Sequence, residues 1–128
     1  MPTRPLQSIF FVDDEPDIRE VVEMALNLSG LSVRTCPSGA LALQELSLLR
    51  PDLVLLDVMM PDLDGPATFA HLQADPLLRD LPVIFMTAKA LPQEVDRFMK
   101  LGAIGVISKP FDPIQLGARV QQLWAAAR

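Results

Sequence analysis

Short apolar runs of strand length alternate along the chain with longer segments in which apolar residues recur at helical spacing. The last long segment shows this spacing clearly, since Leu116, Val120 and Leu123 fall at i, i+4 and i+7. Four of the short runs are apolar almost throughout, as is typical of strands covered on both faces. The predicted strands are Ser8–Val12, Leu31–Cys36, Leu53–Leu56, Val83–Met86 and Ile104–Ile107. The predicted helices are Pro16–Ser29, Gly39–Leu49, Gly65–Gln73, Pro92–Leu101 and Pro113 to about Ala127.

The positions of proline and glycine agree with these boundaries. Gly30 and Gly102 stand where the first and fourth helices are expected to end. Four of the 12 prolines fall near predicted helix starts, where a missing N–H group costs little. These four are Pro16, Pro66, Pro92 and Pro113.

Five strand–helix units in strict alternation predict an α/β fold, with a parallel sheet and helices on both of its faces. For 128 residues we expect a single domain over residues 1–128. The natural expectation for the sheet is the flavodoxin-like, doubly wound order 2-1-3-4-5 with five strands and five helices. The pattern alone leaves other orders of an open sheet open.

The composition, 50% hydrophobic and 21% charged, is that of an ordinary soluble globular protein. No apolar run approaches the roughly 18–20 residues of a membrane span, and the first residues lack the apolar stretch of a signal peptide. A single cysteine, Cys36, allows no internal disulfide and favours a cytoplasmic location. The net charge of −5 argues against direct contact of this domain with nucleic acid, which usually requires a basic surface.

Polar side chains follow the predicted strands at their carboxyl ends, where open α/β sheets bind ligands. Asp13 and Asp14 follow the first strand, and Asp57 follows the third. Thr87 follows the fourth strand and Lys109 the fifth. Three of these strands would be neighbours, so we expect a carboxylate cluster, a hydroxyl and an ammonium group in one crevice.

The chemistry of such a crevice is restricted. Closely placed carboxylates repel each other, and a hard divalent cation with oxygen ligands removes that repulsion. A carboxylate beside the cation can attack phosphorus and form an aspartyl phosphate. The ammonium group and the hydroxyl are suited to neutralising the phosphoryl oxygens, which is most of what phosphoryl transfer requires.

The motifs at these positions resemble those of the receiver domain of two-component response regulators, the CheY-like family, over almost the whole chain. Each motif alone is common, but their order, each at a strand exit, is highly specific. The motifs are Val12-Asp13-Asp14-Glu15, Asp57-Val58-Met59-Met60-Pro61 with Gly65 following, Thr87-Ala88 and Lys109-Pro110-Phe111.

The resemblance implies a role for each matching residue. Asp57 corresponds to the phosphoacceptor and also to one of the metal ligands. Asp14 corresponds to a direct ligand of Mg²⁺ (with Mn²⁺ as an alternative), Asp13 to a ligand acting through water, and the backbone carbonyl of Met59 to a further ligand.

Thr87 and Lys109 correspond to the residues that contact the phosphoryl oxygens. The Lys109–Pro110 peptide bond is expected to be cis, as is usual in the family.

The same resemblance implies the partners and the output. The phosphoryl donor would be a histidine kinase or a histidine phosphotransfer protein. The downstream protein target would bind the face formed by helix 4, strand 5 and helix 5. The domain would be a monomer or a phosphorylation-linked dimer, and it would catalyse only its own phosphorylation and dephosphorylation. If the chain is complete the output is protein contact; if it is a fragment, an effector or kinase region follows Arg128.

Three positions bear on how the switch would work. Many receivers carry Tyr or Phe near the end of the fifth strand, where this chain has Val106, so an aromatic swing at that position cannot relay phosphorylation. In the family, the positions two residues after the acceptor and two residues after the threonine tune the lifetime of the phosphate. Here they are Met59, which is apolar and cannot orient a hydrolytic water, and Lys89, which could hinder water or pair with a nearby acid. We therefore predict slow self-dephosphorylation.

Three other functions remain as alternatives: a pseudo-receiver without phosphoryl chemistry, a phosphohydrolase of the haloacid dehalogenase type, and a flavin- or nucleotide-binding flavodoxin-like protein. The complete set of polar residues disfavours the first. The second requires an Asp where Met59 stands, and the third requires a Gly-rich loop after the first strand. Cys36 is interpreted as a packing residue and His71 as a surface residue. Trp124 is interpreted as a core residue or, alternatively, as part of an exposed partner surface.

Overall fold

The computed structural model describes residues 4–127, which form a five-stranded parallel sheet between two layers of helices. Strands and helices alternate without exception. The strands are β1 (Ser8–Val12), β2 (Ser32–Cys36), β3 (Leu53–Asp57), β4 (Val83–Thr87) and β5 (Gly105–Ser108). The helices are α1 (Pro16–Leu28), α2 (Gly39–Leu46), α3 (Gly65–Ala74), α4 (Pro92–Leu101) and α5 (Pro113–Ala126).

The strand order is β2-β1-β3-β4-β5, which confirms the predicted doubly wound sheet. All four pairs of neighbouring strands are parallel. The register places Val12 beside Leu56, and Asp57 beside Met86. The carboxyl ends of β1, β3 and β4 therefore meet at one edge of the sheet.

Each face of the sheet has its own hydrophobic core. One core lies under α1 and α5, and Leu26, Val120 and Trp124 are buried in it. The other lies under α2, α3 and α4, and it contains Phe85 in contact with the rings of two other phenylalanines. Because β1, β3 and β4 are buried on both sides, their sequences are apolar almost throughout.

The helix boundaries agree with the predictions within one residue except at the end of α2. The helix was predicted to reach Leu49, but it ends at Leu46. The N–H groups of Leu48 and Leu49 both bond to the carbonyl of Glu45, and the Ser47 hydroxyl donates to the carbonyl of Gln44. These bonds close a turn, so the apolar run continues for three residues after the helix has ended.

Trp124 is only 3% exposed, and its indole N–H donates to the carbonyl of Arg4 at 3.1 Å. It therefore belongs to the core, and the alternative of an exposed partner surface at this residue is wrong. His71 is exposed and Cys36 is buried, as predicted. Among residues 4–127, no helix combines the length and the apolar character needed to cross a membrane.

Asp52 fixes the start of β3 to the amino-terminal segment. Its carboxylate accepts the N–H groups of Gln7 and Ser8 at 2.9 and 3.1 Å, and it pairs with Arg4 at 2.6 Å. Burial alone raises the pKa of Asp52, but the two N–H donors and the guanidinium outweigh it, so the pKa lies below its ordinary value. This carboxylate stays ionised and anchors the end of the sheet that lies opposite the predicted site.

Gly65 brings the start of α3 against the last residues of β3. Its N–H donates to the carbonyl of Val58 at 2.9 Å. A Cβ at this position would overlap the carbonyl oxygen of Asp57 and lie 2.9 Å from the Cα of Val58. Both are backbone atoms that cannot rotate away, so the close approach requires glycine.

We therefore expect Gly65→Ala to lower the free energy of unfolding by about 2 kcal/mol or more, measured by urea denaturation. Gly30→Ala serves as a control, because Gly30 has a φ of 84° but nothing lies within 4 Å of an added Cβ. It should cost only the left-handed backbone penalty of about 1 kcal/mol. Equal losses for the two variants would show that the contact at Gly65 is not tight.

Candidate functional site

Three carboxylates meet at the carboxyl ends of β1 and β3. Asp57 is the last residue of β3, while Asp13 and Asp14 directly follow β1. One carboxylate oxygen from each of the three residues lies within 4.8 Å of the other two. Asp13 and Asp57 are buried and Asp14 is half-buried, so the cluster is open to solvent at Asp14.

The ammonium group of Lys109 lies between two of these carboxylates. Its Nζ is 2.8 Å from Oδ2 of Asp13 and 2.8 Å from Oδ1 of Asp57. Lys109 follows β5, and its backbone N–H donates to the carbonyl of Thr87 at 2.8 Å. The loop after β5 is thus tied to the end of β4, which directs the lysine across the sheet edge to the acidic cluster.

The environment of Asp57 disfavours its charged form. Burial is the largest influence and raises the pKa of the carboxyl to about 6, and the negative charges of Asp13 and Asp14 act in the same direction. The hydrogen bond and the charge of Lys109 oppose this change without cancelling it. One lysine is therefore not enough to compensate three neighbouring carboxylates.

The pKa of Lys109 is raised above its ordinary value. Burial on its own lowers it, but the hydrogen bonds and charges of Asp13 and Asp57 outweigh burial. The lysine is therefore charged throughout the physiological pH range. With the three carboxylates ionised, the four groups carry two more negative charges than positive ones.

The polar atoms of Asp13 are engaged by the protein itself. Its N–H donates to the carbonyl of Cys36 at 3.0 Å, and its Oδ1 accepts the N–H of Glu15 at 2.9 Å. Its Oδ2 takes the bond from Lys109. Among residues 4–127, by contrast, no side chain or N–H group bonds to the carboxylate of Asp14. Asp14 is thus the acid with free lone pairs, and Asp13 is held in place.

Arg19 also belongs to this site, although the sequence analysis did not identify it. Its Nη1 donates to the backbone carbonyl of Asp13 at 2.8 Å. A basic residue in the second turn of the helix that follows an acidic pair is the only sequence signal for this contact. Such residues more often form solvated helix faces, and the bond to a carbonyl is visible only in three dimensions.

Thr87 ends β4 with its side chain buried. Its hydroxyl accepts the N–H of Lys89 at 3.0 Å, which ties the start of the β4–α4 loop to the strand. The N-cap of α4 is Leu91, so Thr87 does not cap this helix. A hydroxyl that accepts one hydrogen bond still has its own proton to donate.

The structure describes two further positions that the sequence analysis singled out, in β5 and in the loop after it. The Lys109–Pro110 peptide bond is cis, as the family resemblance implied. Val106 is half-buried on β5 and packs against the core under α2, α3 and α4.

An exposed apolar surface, not predicted from the sequence, begins beside Lys109. One shallow depression of about 370 Å³ is lined by Lys109 and by Val21 of α1, among others. A second depression shares Val21 and continues along α1 to α5. Exposed on this surface are Val21, Met24, Leu28 and Ile114 at 40, 60, 84 and 90%. We call it the α1–α5 surface.

The residues present suit a hard divalent cation. The side-chain donors of the cluster are carboxylate oxygens, the local charge is negative, and Asp14 has free lone pairs. Mg²⁺ typically takes one or two carboxylates and keeps several waters, and the partial exposure of Asp14 leaves the cluster accessible to water. Both carboxylate oxygens of Asp13 accept hydrogen bonds from the protein, whereas Lys109 contacts only Oδ1 of Asp57.

Comparison with known proteins identifies the family. The model of the response regulator receiver domain matches residues 9–121, which include every residue of the site. The chain therefore belongs to the receiver domain family of two-component response regulators. Its role is that of a phosphorylation-regulated signalling switch and not that of a classical enzyme.

Several curated relatives are described as transcriptional regulators. The probable transcriptional regulator ycf27 of Cyanophora paradoxa is 40% identical over 119 residues, covering 91% of this chain and 48% of the relative. The transcriptional regulatory protein GltR of Pseudomonas aeruginosa is 37% identical over 124 residues, covering 95% and 50%. The chain thus spans about half the length of these relatives.

Solved structures with the same fold come from different contexts. The chemotaxis protein CheY4 of Vibrio cholerae has a TM-score of 0.84 at 27% identity, covering 92% of this chain and 98% of that one. The signal receiver domain of a signal transduction histidine kinase from Syntrophus aciditrophicus has a TM-score of 0.81 at 34% identity, covering 95% and 92%. The fold alone therefore does not determine what the domain is attached to.

The raised pKa of Asp57 predicts how stability depends on pH when no metal is present. Between the unfolded pKa of 3.8 and the folded value of about 6, the native state keeps a proton that the unfolded state loses. The contribution of Asp57 to the free energy of unfolding therefore falls as the pH rises through that window. Asp57→Asn removes this penalty, so it should be more stable than wild type by about 1–3 kcal/mol at pH 7.5 in EDTA. Near pH 4 the two proteins should be nearly equal.

Urea denaturation at the two pH values measures this difference. Asp80→Asn is the matched control, because Asp80 is an exposed acid in the α3–β4 connection. It should leave the stability unchanged at both pH values. A stability advantage of Asp57→Asn that is the same at pH 4 and pH 7.5 would show that ionisation of Asp57 costs nothing in the native state.

Proposed function

We propose that the domain accepts a phosphoryl group on Asp57 in a Mg²⁺-dependent reaction, from a histidine kinase or a histidine phosphotransfer protein, and thereby changes its partner-binding surface. The observation that supports this most directly is the pair of 2.8 Å contacts from Lys109 to Asp13 and Asp57. They bring together residues from three strands that are far apart in the sequence. Family membership over residues 9–121 supports the same reaction.

In this reaction a carboxylate oxygen of Asp57 attacks the phosphorus. The bond between phosphorus and the imidazole nitrogen of the donor breaks, and its electron pair stays on the imidazole. Lys109 lies beside the attacking carboxylate and is placed to neutralise one phosphoryl oxygen, while Thr87 has a hydroxyl proton to donate to another. Mg²⁺, when bound, supplies the remaining positive charge.

The proposed Mg²⁺ ligands are Asp14 and Asp57 directly, Asp13 through water, and the backbone carbonyl of Met59. We assign direct binding to Asp14 rather than to Asp13 because Lys109 and the N–H group of Glu15 already bond to the carboxylate of Asp13. The ion restores the charge balance that Lys109 alone does not provide. It also favours the ionised form of Asp57, which is the nucleophile.

We place the docking of the phosphoryl donor on the α1–α5 surface. This surface is almost wholly apolar and begins beside Lys109, so a protein that delivers a phosphoryl group to Asp57 would cover it. Glu20 and Glu23 line a depression next to Met24 and Leu28 on α1. A helix with apolar residues flanked by basic ones would match this surface.

The downstream target is proposed to bind the face of α4, β5 and α5. The loop between β4 and α4 is tied to Thr87, so a change at the Thr87 hydroxyl would reach α4 through Lys89. With Val106 on β5 an aromatic swing is not available. The transcriptional regulators among the relatives suggest a DNA-binding output in a neighbouring domain, since this acidic domain lacks the charge for direct DNA contact.

Intact-protein mass spectrometry after incubation with acetyl phosphate tests the proposed reaction. We expect one added phosphoryl group when Mg²⁺ is present and none in EDTA. Asp57→Asn should take no phosphoryl group. Asp62→Asn is the matched control, because Asp62 is exposed in the loop after the acceptor, and it should be labelled like wild type.

Labelling of Asp57→Asn to the wild-type extent would contradict Asp57 as the acceptor. Labelling in EDTA would contradict the requirement for the metal. If the wild type binds Mg²⁺ but is not labelled, the domain is a pseudo-receiver or accepts phosphate only from a protein donor. Incubation with phosphorylated histidine kinases separates these two cases.

The phosphate on Asp57 is expected to be long-lived. The side chain of Met59 is 76% exposed beside the acceptor and offers no polar atom able to position an attacking water. We predict that the phosphorylated form loses phosphate over minutes or longer after acetyl phosphate is removed, followed by intact mass. Met59→Gln should shorten the lifetime several-fold by supplying an amide that hydrogen-bonds water. A wild-type half-life of seconds would refute this prediction.

A further inference from the structure

The backbone carbonyl of Asp13 lacks the hydrogen-bond donor that a tight turn usually provides. This carbonyl precedes α1, which begins at Pro16. The usual donor in a tight turn would be the N–H three residues later, but that residue is Pro16, which has none. A donor from elsewhere is needed to hold this peptide.

Arg19 supplies that donor. Its Nη1 bonds to the Asp13 carbonyl at 2.8 Å, and its own N–H bonds to the carbonyl of Glu15 at 3.1 Å. The arginine is half-buried and lies within α1, so the acidic loop is tied to a rigid helix. The other anchors of the loop, at the N–H and the carboxylate of Asp13, do not fix the plane of the following peptide.

The orientation of that peptide plane determines where Asp14 points. The carbonyl of Asp13 and the N–H of Asp14 belong to the same planar unit. Among residues 4–127, no side chain or N–H group holds the carboxylate of Asp14 directly. Its position therefore depends on the backbone on either side, which is anchored by Arg19 before it and by the N–H of Glu15 after it.

We propose that Arg19 is a positioning residue for cation binding: by holding the Asp13 carbonyl, it presents the Asp14 carboxylate to the divalent cation. Arg19 does not contact the phosphoryl group or the cation. The inference rests on the proposed Mg²⁺ site and adds to it a residue that none of the acidic motifs contains. It attributes part of the metal affinity to a single hydrogen bond outside the ligand set.

Arg19→Met tests this proposal, because methionine keeps an apolar stem of similar length and removes the donor. We expect the dissociation constant for Mn²⁺, measured from the EPR signal of the free ion, to rise about tenfold, and the constant for Mg²⁺, measured by competition, to rise alike. Arg19→Lys keeps a charged donor and should recover part of the affinity. Arg34→Met is the matched control, since Arg34 pairs with Glu45 at 3.2 Å and does not contact the acidic loop.

A second measurement separates positioning from a general loss of structure. The Mg²⁺ concentration for half-maximal labelling by acetyl phosphate should rise with the dissociation constant in Arg19→Met, while the rate at saturating Mg²⁺ stays within about twofold of wild type. A merely structural role would lower the folded fraction without changing the affinity of the folded protein. Circular dichroism reports that fraction.

Two outcomes would overturn the proposal, and they differ in what else they overturn. If the wild type binds the cation and Arg19→Met binds it within twofold, Arg19 has no positioning role and the proposed function is unaffected. If the wild type itself binds neither Mn²⁺ nor Mg²⁺, the proposed metal site fails together with this inference. Partial recovery of the affinity in Arg19→Lys, together with wild-type affinity in Arg34→Met, would support the specific hydrogen bond.

Discussion

The contact of Lys109 with both Asp13 and Asp57 is the interaction on which the site depends. Two buried carboxylates at adjacent strand ends repel each other, and the lysine from β5 is the positive charge that holds them together in the metal-free protein. The compensation is incomplete, because burial still raises the pKa of Asp57 to about 6. The metal-free site is therefore folded but carries excess negative charge, and this excess favours the binding of a divalent cation.

The fold makes this arrangement possible. Parallel strands in the order β2-β1-β3-β4-β5 bring the ends of β1, β3, β4 and β5 to one edge, although the residues concerned are up to 96 positions apart. Local contacts then position parts of the site. Gly65 allows α3 to start against Asp57, and Arg19 holds the loop after β1. The phosphoryl chemistry proposed for Asp57 needs positioning and charge neutralisation more than any reactive group.

Much of this could be predicted from the sequence because each strand is buried on both faces and each site residue stands at a strand exit. The apolar runs predicted each strand to within one residue at either end. Helix α2, however, ends three residues before the predicted Leu49. The hydrogen bonds that close the turn after Leu46 cannot be predicted from the apolar pattern. The motifs gave Asp13, Asp14, Asp57, Thr87 and Lys109. The sequence analysis did not identify Arg19 or the α1–α5 surface. A bond to a backbone carbonyl, and a surface formed by two helices that are far apart in the sequence, both depend on tertiary structure.

The most direct test of this account is the pKa of the Asp57 carboxyl, followed by carbon-detected NMR with and without saturating Mg²⁺. The account predicts a value of about 6 in EDTA and a value below the ordinary 3.8 once the ion is bound. It also predicts that Lys109→Ala raises the metal-free value further. An Asp57 pKa near its ordinary value in EDTA that does not respond to Mg²⁺ would contradict the charge imbalance on which the proposed switch rests.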